Sequence, residues 1–428
     1  MNLQEITSTA VARGIDLATA YTLMAEPWKC FGRRMIRKTD TPLGVKEREC
    51  MDDLWTNFFF QEVFVNHLQM GSDELDLGDQ AIWHGIYTGA LCMRYAVEPS
   101  PGLDIKIEVC MRGLMGHQSK HGEDRPRLIR GYDPRTGRWQ DDASNDSLTG
   151  HFFGAWAALR YGPPLLQPRA RQLIRNIADA LIRDKYKLTN ADGSPTTHGR
   201  LINGFLTDPL QSTLVLAIFT VAEKILDDKK YGDARHEIYS KFHPMIPYGK
   251  AMLGSKENWN DEHRAAIHLL ILALEDKSPA MQEYVFKGLV RLWHIVDKRA
   301  NVWVNALIAI GLGAHLDDVS LRGRMRDQAM LVLSEYELKD KRFNTAVDWR
   351  QAPIEGIEGA WRPEVITVAG KERASEPLPL WAIGKQDFVW QRHRFSVFDW
   401  IGNLDASSRY NGGDFLAAYW ASKLGGVL

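Results

Sequence analysis

The chain has 428 residues, with 53 Lys and Arg against 54 Asp and Glu, which gives a formal charge of −1. This balance excludes a dedicated binder of nucleic acid or of anionic membranes, because both need clustered cations. The N-terminus lacks the basic and apolar regions of a secretory signal. The apolar stretches around 209–222 and 302–316 are shorter than a membrane-spanning helix. We therefore expect a soluble protein, either cytoplasmic or part of an assembly that is not exported by the secretory route.

Helical periodicity dominates the chain. Apolar residues recur at spacings of three and four, which predicts helices with one buried face, and alternating strand patterns occur only around 364–368 and 387–399. The predicted class is all-α with a short, irregular and partly β C-terminal segment. We expect one domain over 51–428, preceded by an N-terminal lead-in over 1–50. The predicted helices span 52–68, 80–97, 105–116, 147–161, 166–187, 209–228, 262–275, 279–297, 301–314, 320–336 and 413–424.

Two stretches of the chain resemble each other. "DQAIWHGIYTGALCMRY" (79–95) and "DSLTGHFFGAWAALRY" (146–161) both begin with Asp, contain a GxxxGA core and end in Arg-Tyr. Glycines at positions i and i+4 free one stripe of a helix, so that another helix can approach it closely. A unit of two helices that recurs in this way is typical of a ring of helical hairpins.

With the helix count, "GDQAIWHGIYTGALCMRYA" and "SNDSLTGHFFGAWAALRYG" resemble the (α/α)6-toroid proteins, the architecture of many glycoside hydrolases and polysaccharide lyases. The tail "LPLWAIGKQDFVWQRHRFSVF…GGDFLAAYWASKLGGVL" is similar to the ends of uncharacterised bacterial toroid proteins. The resemblance implies an α/α toroid in which loops and helix starts at one end of the ring surround a cleft. It also implies an oligo- or polysaccharide as the partner, although no characterised catalytic motif is matched.

The first candidate site is the start of the helix predicted at 80–97. Asp79, Trp83 and Tyr87 are spaced by four residues and share one stripe of that helix. A carboxylate with two amphipathic aromatic rings is typical of a sugar subsite. The alternative is that Asp79 caps the helix by accepting backbone N–H bonds, which stabilises it by about 1 kcal/mol. His84 lies off this stripe and is expected to be a packed core residue.

The second candidate site precedes the helix predicted at 147–161. Asp141, Asp142 and Asp146 lie within six residues, directly after a long Arg-rich loop. Crowded carboxylates raise one another's pKa, and glycoside hydrolysis needs one protonated and one ionised carboxyl group. Asp146 together with Asp79 or Asp142 can supply that pair. Trp139, in the preceding loop, is a candidate stacking platform for a sugar ring.

The same carboxylates also have a structural interpretation. In this alternative Asp146 or Asn145 caps the helix. The two preceding aspartates then form ion pairs with Arg135 or Arg138. Capping and catalysis are compatible, because a helix N-terminus can also hold a carboxylate for chemistry.

The third candidate site is "ENWNDEHRAAIHLL", the start of the helix predicted at 262–275. In a polysaccharide lyase an Asn neutralises the uronate carboxylate while a His or Tyr moves a proton. His263 is the candidate base, Asn258 or Asn260 is the candidate neutralising group, and Trp259 is a further stacking platform. The alternative is a well-capped helix with a solvated first turn.

Metal and cofactor motifs are weak or missing. His117 and His121 have the spacing of helical metal ligands, but Gly116, Gly122 and Pro126 interrupt a helix there. The sequence contains no GxSxG, Walker A or Rossmann motif, which disfavours serine-hydrolase and nucleotide chemistry. We therefore expect neither a metal nor a cofactor.

The sequence favours a glycan-active enzyme, most simply a glycoside hydrolase with Asp146 as the acid and Asp79 or Asp142 as base or nucleophile. A uronate polysaccharide lyase that uses His263 is the alternative within catalysis. A third hypothesis is a non-catalytic glycan-binding or structural component of a larger assembly, such as a virion or a cell-surface complex. In that case the N-terminal lead-in would dock onto the assembly.

Overall fold

The computed structural model describes most of the chain from residue 41 onward. The described residues are 41–69, 71–122, 124–202, 208–242, 259–296, 300–313, 319–336, 347–351, 354–357, 359–368, 371–376, 378, 389, 398–399 and 408–428.

This part of the chain contains twelve α-helices. In chain order they are α1 (Leu43–Asn57), α2 (Gln80–Val97), α3 (Leu103–Ser119), α4 (Asn145–Tyr161), α5 (Gln167–Arg183), α6 (Pro209–Leu226), α7 (Lys229–Phe242), α8 (Trp259–Glu275), α9 (Pro279–Val296), α10 (Val302–Leu312), α11 (Val319–Glu335) and α12 (Gly413–Leu424).

Short strands lie between the helices. Their bounds are β1 (Phe59–Phe60), β2 (Val63–Phe64), β3 (His67–Gln69), β4 (Gly131–Tyr132), β5 (Trp139–Gln140), β6 (Lys187–Thr189), β7 (Pro195–Arg200), β8 (Val347–Asp348), β9 (Ile354–Ile357), β10 (Gly359–Trp361), β11 (Val365–Val368), β12 (Lys371–Ala374), β13 (Phe398–Asp399) and β14 (Ser408–Tyr410). They form two-stranded antiparallel sheets, in the pairs β1–β2, β3–β14, β4–β5, β6–β7, β8–β13, β9–β10 and β11–β12.

The helices form a closed double ring. The even-numbered helices α2, α4, α6, α8, α10 and α12 contact one another in that order, and α12 packs against α2 to close the inner ring. Each odd-numbered helix packs outside against an inner neighbour. The predicted all-α toroid of helical hairpins, with a partly β C-terminal segment, is thus confirmed, as is the closing position of the last helix.

Burial explains the composition of the inner helices. A helix that is surrounded by two ring neighbours and an outer helix has almost no solvated face, so its residues are apolar or small on all sides. In α2 every residue from Gln80 to Met93 is buried. Helix α6 has the length and apolarity of a membrane-spanning helix, and 72% of it is buried in the ring.

The inner helices run in the same direction. At one end of the ring, Arg264 near the start of α8 contacts Asp146 near the start of α4. At the other end, Glu275 at the end of α8 contacts Trp156 and Arg160 near the end of α4. One end of the ring therefore collects the N-termini of the inner helices, with their unpaired backbone N–H groups.

The two glycine-containing stretches pack directly against each other, as α2 and α4. A Cβ atom on Gly85 would lie 2.0 Å from the carbonyl oxygen of Gly150, and one on Gly154 would lie 2.7 Å from that of Gly85. Gly89 gives the same close approach to the ring of Phe153. The predicted use of these glycines, to let another helix approach closely, is confirmed, and the partner helix is the second copy of the motif itself.

Three elements of the structure differ from the prediction. The first helix spans 43–57 and not 52–68, and its end is followed by the β1–β2 hairpin. Helix α5 ends at Arg183 and not at 187, because Lys185 and Tyr186 both have positive φ and turn the chain into β6. Helix α7 was not predicted, because six of its 14 residues are charged and few are apolar.

The C-terminal strands agree in part with prediction. The pattern at 364–368 corresponds to β11, which pairs with β12. Of the pattern at 387–399, β13 is described and pairs with β8, while 387–388, 390–397 lie outside the described residues. Of the expected lead-in over 1–50, residues 1–40 lie outside the described residues, and α1 spans the boundary expected at 51.

Replacing Gly85 by Ala is expected to lower the free energy of unfolding by about 2–3 kcal/mol, because the added methyl group overlaps the backbone of α4. The matched control is Gly323→Ala in α11, where no atom lies within 4 Å of the added Cβ. This control is expected to raise stability by about 0.5–1 kcal/mol, since Ala is the better helix former. Urea unfolding followed by circular dichroism measures both. Equal stability of the two variants would contradict the close contact.

Stability is also expected to fall steeply below about pH 6.5, because five histidines in the described part of the chain are buried and neutral. Burial lowers the pKa of His84 to about 4 and that of His151 and His263 to about 3. The pKa values of His117 and His268 are also lowered by burial. The unfolded chain takes up protons near the ordinary pKa, whereas the folded chain does not. Stability is therefore complete above that pH and is lost as pH falls, at about 1.4 kcal/mol per pH unit for each histidine.

Melting temperatures between pH 7.5 and 5 measure this effect. His84→Gln should make the decline shallower, while His198→Gln, at an exposed position, should leave it unchanged. A melting temperature that stays constant over this range would refute the expectation.

Candidate functional site

The N-terminal end of the inner ring carries the candidate site, and Asp79 is its most accessible carboxylate. Asp79 occupies the N-cap position of α2, but its side chain accepts no capping hydrogen bond. The side chain is 46% exposed, and its Oδ1 lies 3.3 Å from Nη2 of Arg130. Burial is the main cause that raises the pKa of Asp79 above its ordinary value. The charges of Asp76 and Asp146 add to this increase, and Arg130 opposes it.

Arg130 fixes the surroundings of this carboxylate. Its Nε–H donates to the carbonyl oxygen of Gly78, directly before Asp79, and Nη1 lies 3.4 Å from the carbonyl oxygen of Asp142. The backbone of Arg130 also accepts the N–H of Ala81 in the first turn of α2 (3.0 Å). The loop between α3 and α4 is thereby bound to the start of α2.

Asp146 is the second residue of α4, and it does not cap this helix. The N-cap is Ser144, whose side chain forms a reciprocal capping box with Ser147. This corrects the structural interpretation in which Asp146 or Asn145 is the cap. Asp146 is left free of that role in the first turn, where the helix dipole stabilises a negative charge.

The partner of Asp146 is a buried arginine. Nη1 of Arg264 lies 2.9 Å from Oδ1 of Asp146 and 3.4 Å from Oδ1 of Asp261, and the arginine side chain is only 4% exposed. A buried cation needs a negative partner, because its desolvation is otherwise too costly. Asp146 itself is 19% exposed, so it is also accessible from the end of the ring.

The three predicted helix starts meet at this end of the ring. Asp79 and Asp146 interact electrostatically, and Asp146 is ion-paired with the residue that follows His263. His263 is completely buried, and the indole Nε1–H of Trp303 donates to its Nδ1 (3.4 Å). Burial, with a contribution from Arg264, lowers the pKa of His263 to about 3. An imidazole with this pKa is a weak base.

Asp141 and Asp142 bind a neighbouring hairpin. Oδ1 of Asp142 accepts the N–H of Thr197 (2.7 Å), and Oδ2 of Asp141 accepts the N–H of Ala191 (2.7 Å). Both contacts hold the β6–β7 hairpin against the loop between α3 and α4. The backbone of Asp142 has a φ of +65°, a conformation that Asp tolerates better than most residues.

The prediction that Asp141 and Asp142 form ion pairs with Arg135 or Arg138 is wrong. Arg135 pairs with Asp133 and Arg138 pairs with Glu74. Asp141 instead lies 3.4 Å from Nε2 of His121.

The candidate aromatic platforms divide into buried and exposed rings. Trp83 and Tyr87 are buried in the core, with their ring centroids 5.8 Å apart, so neither offers a free face to a sugar. Trp139 on β5 is 38% exposed, and its ring packs edge-on against His121 with a centroid distance of 5.0 Å. Trp139 therefore remains a candidate stacking platform for a sugar ring.

Other predicted residues lie outside the described part or belong to the core. Asn258 is outside the described residues. Trp259 and Asn260 begin α8, but their side chains are not described. His84 is a packed core residue as expected, because its Nδ1 accepts the N–H of Phe64 and its Nε2 donates to a backbone oxygen.

The His117–His121 pair shows no ligand geometry. Nδ1 of His117 lies 2.8 Å from the carbonyl oxygen of Gly113, and Nε2 lies 3.1 Å from Gln80. Among the described residues no group of three His, Cys, Asp or Glu side chains is arranged to hold a metal ion.

Two residues of the site were missed in the sequence. Arg130 lies in an irregular loop, where no periodic pattern marks one arginine above its neighbours. Arg264 did carry a signal, because a cation near the N-terminus of a helix opposes the helix dipole. Asp261, three residues earlier, lies on the same face and compensates this charge.

Comparison with solved structures gives the same architecture. The chain is similar to a GH76 α-mannanase of Bacteroides thetaiotaomicron, with a TM-score of 0.50, 8% identity, and coverage of 90% of this chain and 95% of that chain. It is also similar to the cellobiose 2-epimerase of Bacillus thermoamylovorans, with a TM-score of 0.47, 10% identity, and coverage of 88% of this chain and 99% of that chain. For an unsaturated glucuronyl hydrolase of Streptococcus agalactiae the TM-score is 0.44 and the identity 11%, with coverage of 92% of this chain and 97% of that chain.

The likeness to the mannanase shows the toroid fold. No protein-family model matches the sequence. No curated protein matches it either. Fold and geometry together define an α/α toroid with an acidic site at the N-terminal end of its inner ring.

Replacing Asp142 by Ala is expected to loosen the β6–β7 hairpin, because the acceptor of the Thr197 N–H is lost. Asp142→Asn is the matched control, since the amide oxygen can accept the same bond and Asn also tolerates positive φ. Amide hydrogen exchange at Thr197 should become faster in the Ala variant only. Equal exchange rates in both variants would show that the carboxylate does not hold the hairpin.

Proposed function

We propose that the protein hydrolyses glycosidic bonds, with Asp79 as the proton donor and Asp146 as the base. The observation that carries this proposal is the electrostatic difference between two neighbouring accessible carboxylates. Partial burial, together with the charges of Asp76 and Asp146, raises the pKa of Asp79, which favours its protonated form. Asp146 is ion-paired with a buried guanidinium, which needs a negative partner. Glycoside hydrolysis needs one carboxyl group of each kind.

In this proposal the acid and base roles are exchanged relative to the sequence-based hypothesis, which made Asp146 the acid. Asp142 has no catalytic role, because its carboxylate is used to hold the β6–β7 hairpin. Trp139 supplies an apolar face at the rim of the site. A glycan is the proposed substrate because the similar GH76 enzyme is an α-mannanase.

During the reaction Asp79 would donate its proton to the glycosidic oxygen while the bond to the anomeric carbon breaks. Asp146 would take a proton from the attacking water on the other side of that carbon. Arg130 would hold the Asp79 carboxyl group in place through Oδ1. Both carboxylates lie near the positive ends of inner helices, which favours the negative charge that passes between them.

The lyase alternative receives less support. Its candidate base, His263, is fully buried and has a pKa of about 3, so it lacks both access to a substrate and basicity. An elimination would require another base at this end of the ring. The non-catalytic alternative makes no use of the electrostatic difference between Asp79 and Asp146.

A screen of neutral and uronate-containing glycans tests the proposal. It reads reducing ends, which both reactions release, and ultraviolet absorbance, which only the unsaturated product of elimination gives. Asp79→Asn and Asp146→Asn are each expected to lower kcat by about 100-fold or more on the cleaved glycan. Asp142→Asn is the control and should retain activity.

The two roles can be separated with an aryl glycoside whose phenol leaves without protonation. Asp79→Asn should regain activity on this substrate, whereas Asp146→Asn should not. Full activity of both variants on the natural glycan would overturn the proposal, and an ultraviolet-absorbing product would replace it with elimination. Binding without turnover of any glycan in the screen would favour the non-catalytic alternative.

A further inference from the structure

We propose that Asp261 and Arg264 are positioning residues that set the charge of Asp146 through one shared guanidinium nitrogen, and so divide the acid and base roles between Asp79 and Asp146. The inference rests on the proposed function and names the residues that tune it. Neither residue was given a role in the sequence.

Two carboxylates lie within ion-pair distance of one guanidinium nitrogen. Nη1 of Arg264 is 2.9 Å from Asp146 and 3.4 Å from Asp261, and all three side chains are largely shielded from water. Charges interact strongly where water is excluded, so a change in either carboxylate is felt by the other through the shared nitrogen. Asp146 is the nearer partner, and Asp261 draws part of the positive charge away from it.

The remaining guanidinium nitrogens indicate that Arg264 acts through its charge. Nε and Nη2 of Arg264 are buried and form no hydrogen bond in the structure. A buried donor without a partner destabilises the fold, because it has lost its hydrogen bonds to water. The arginine also lies in the second turn of α8, near the end of the helix where the dipole disfavours a cation. A residue kept in such a place despite these costs is typical of a functional site.

Other titratable groups of the described residues lie near this cluster. Asp79 interacts electrostatically with Asp146 and is paired with Arg130. His263 and His268 on α8 are held neutral by burial, and Arg264 also lowers the pKa of both. Arg264 is in direct ion-pair contact with Asp146.

Opposite substitutions at the two positions should have opposite effects. Removing the carboxylate of Asp261 gives the guanidinium wholly to Asp146, which makes Asp146 a weaker base. Removing the charge of Arg264 leaves Asp146 beside two other carboxylates, so it takes up a proton more readily. A residue that only supported the fold would not move the two effects in opposite directions.

The pH dependence of kcat/KM tests this, measured on the glycan that the wild-type protein cleaves. Asp261→Asn should move the acidic limb of the profile down by about one pH unit and lower kcat, and Arg264→Met should move the limb up by about as much. The matched control is Asp276→Asn, which removes a buried carboxylate paired with Arg235 just beyond the other end of α8. This control should lower the melting temperature without moving the limb.

A second readout does not need activity. The carboxyl 13C signal of Asp146, assigned by its loss in Asp146→Asn, is titrated in the full-length protein with 13C-labelled aspartate. Asp261→Asn should move its midpoint down, and Arg264→Lys, which keeps the charge if Arg264→Met does not fold, should move it up by less than the Met variant. An unchanged midpoint in Asp261→Asn, or shifts in the same direction for both positions, would overturn the inference.

The two proposals fail in different ways. If Asp79→Asn and Asp146→Asn keep full activity while the midpoints shift as expected, the charge arrangement stands and the hydrolase proposal fails. If those two variants are inactive and the Asp261→Asn midpoint is unchanged, the hydrolase proposal stands and this inference fails.

Discussion

The close contact between α2 and α4 at their glycines is the interaction on which the site depends. Gly85 and Gly150 let the two backbones touch, which no larger residue permits at this distance. Asp79 and Asp146, at the starts of these helices, lie six and four residues before the glycines. Because the contact fixes both helix starts at one end of the ring, the two carboxylates interact with each other. The electrostatic difference between them is thus a consequence of helix packing.

Much of the fold could be predicted from the sequence because inner helices are apolar over their whole length. The bounds predicted for α2 and α12 agree with the structure. Helix α7 was missed because its buried apolar residues, among those whose burial is described, are Tyr231, Ala234 and Ile238, which leaves a weak periodic signal. The β6–β7 hairpin was missed because it is held by side chains from elsewhere in the chain, and no local pattern records such contacts.

The site was predicted less completely, since its chemistry depends on contacts between distant segments. The sequence marked Asp79, Asp146 and the start of α8, because polar residues precede long apolar helices there. It did not distinguish Asp146 from its neighbours as cap or acid, and Ser144 proved to be the cap. Trp83 and Tyr87 share a stripe with Asp79, but that stripe turns into the core after its first residue. Spacing alone does not show where exposure ends along a helix.

The central claim is that Asp79 holds a proton more tightly than an ordinary aspartate, mainly because it is partly buried and also because the charge of Asp146 lies near it. The most direct measurement is the titration of the Asp79 carboxyl group by 13C NMR, in the wild-type protein and in Asp146→Asn. The account predicts a midpoint above the ordinary value of about 3.9 in the wild type, and a lower midpoint in the variant. An ordinary midpoint that does not change when Asp146 is neutralised would contradict it.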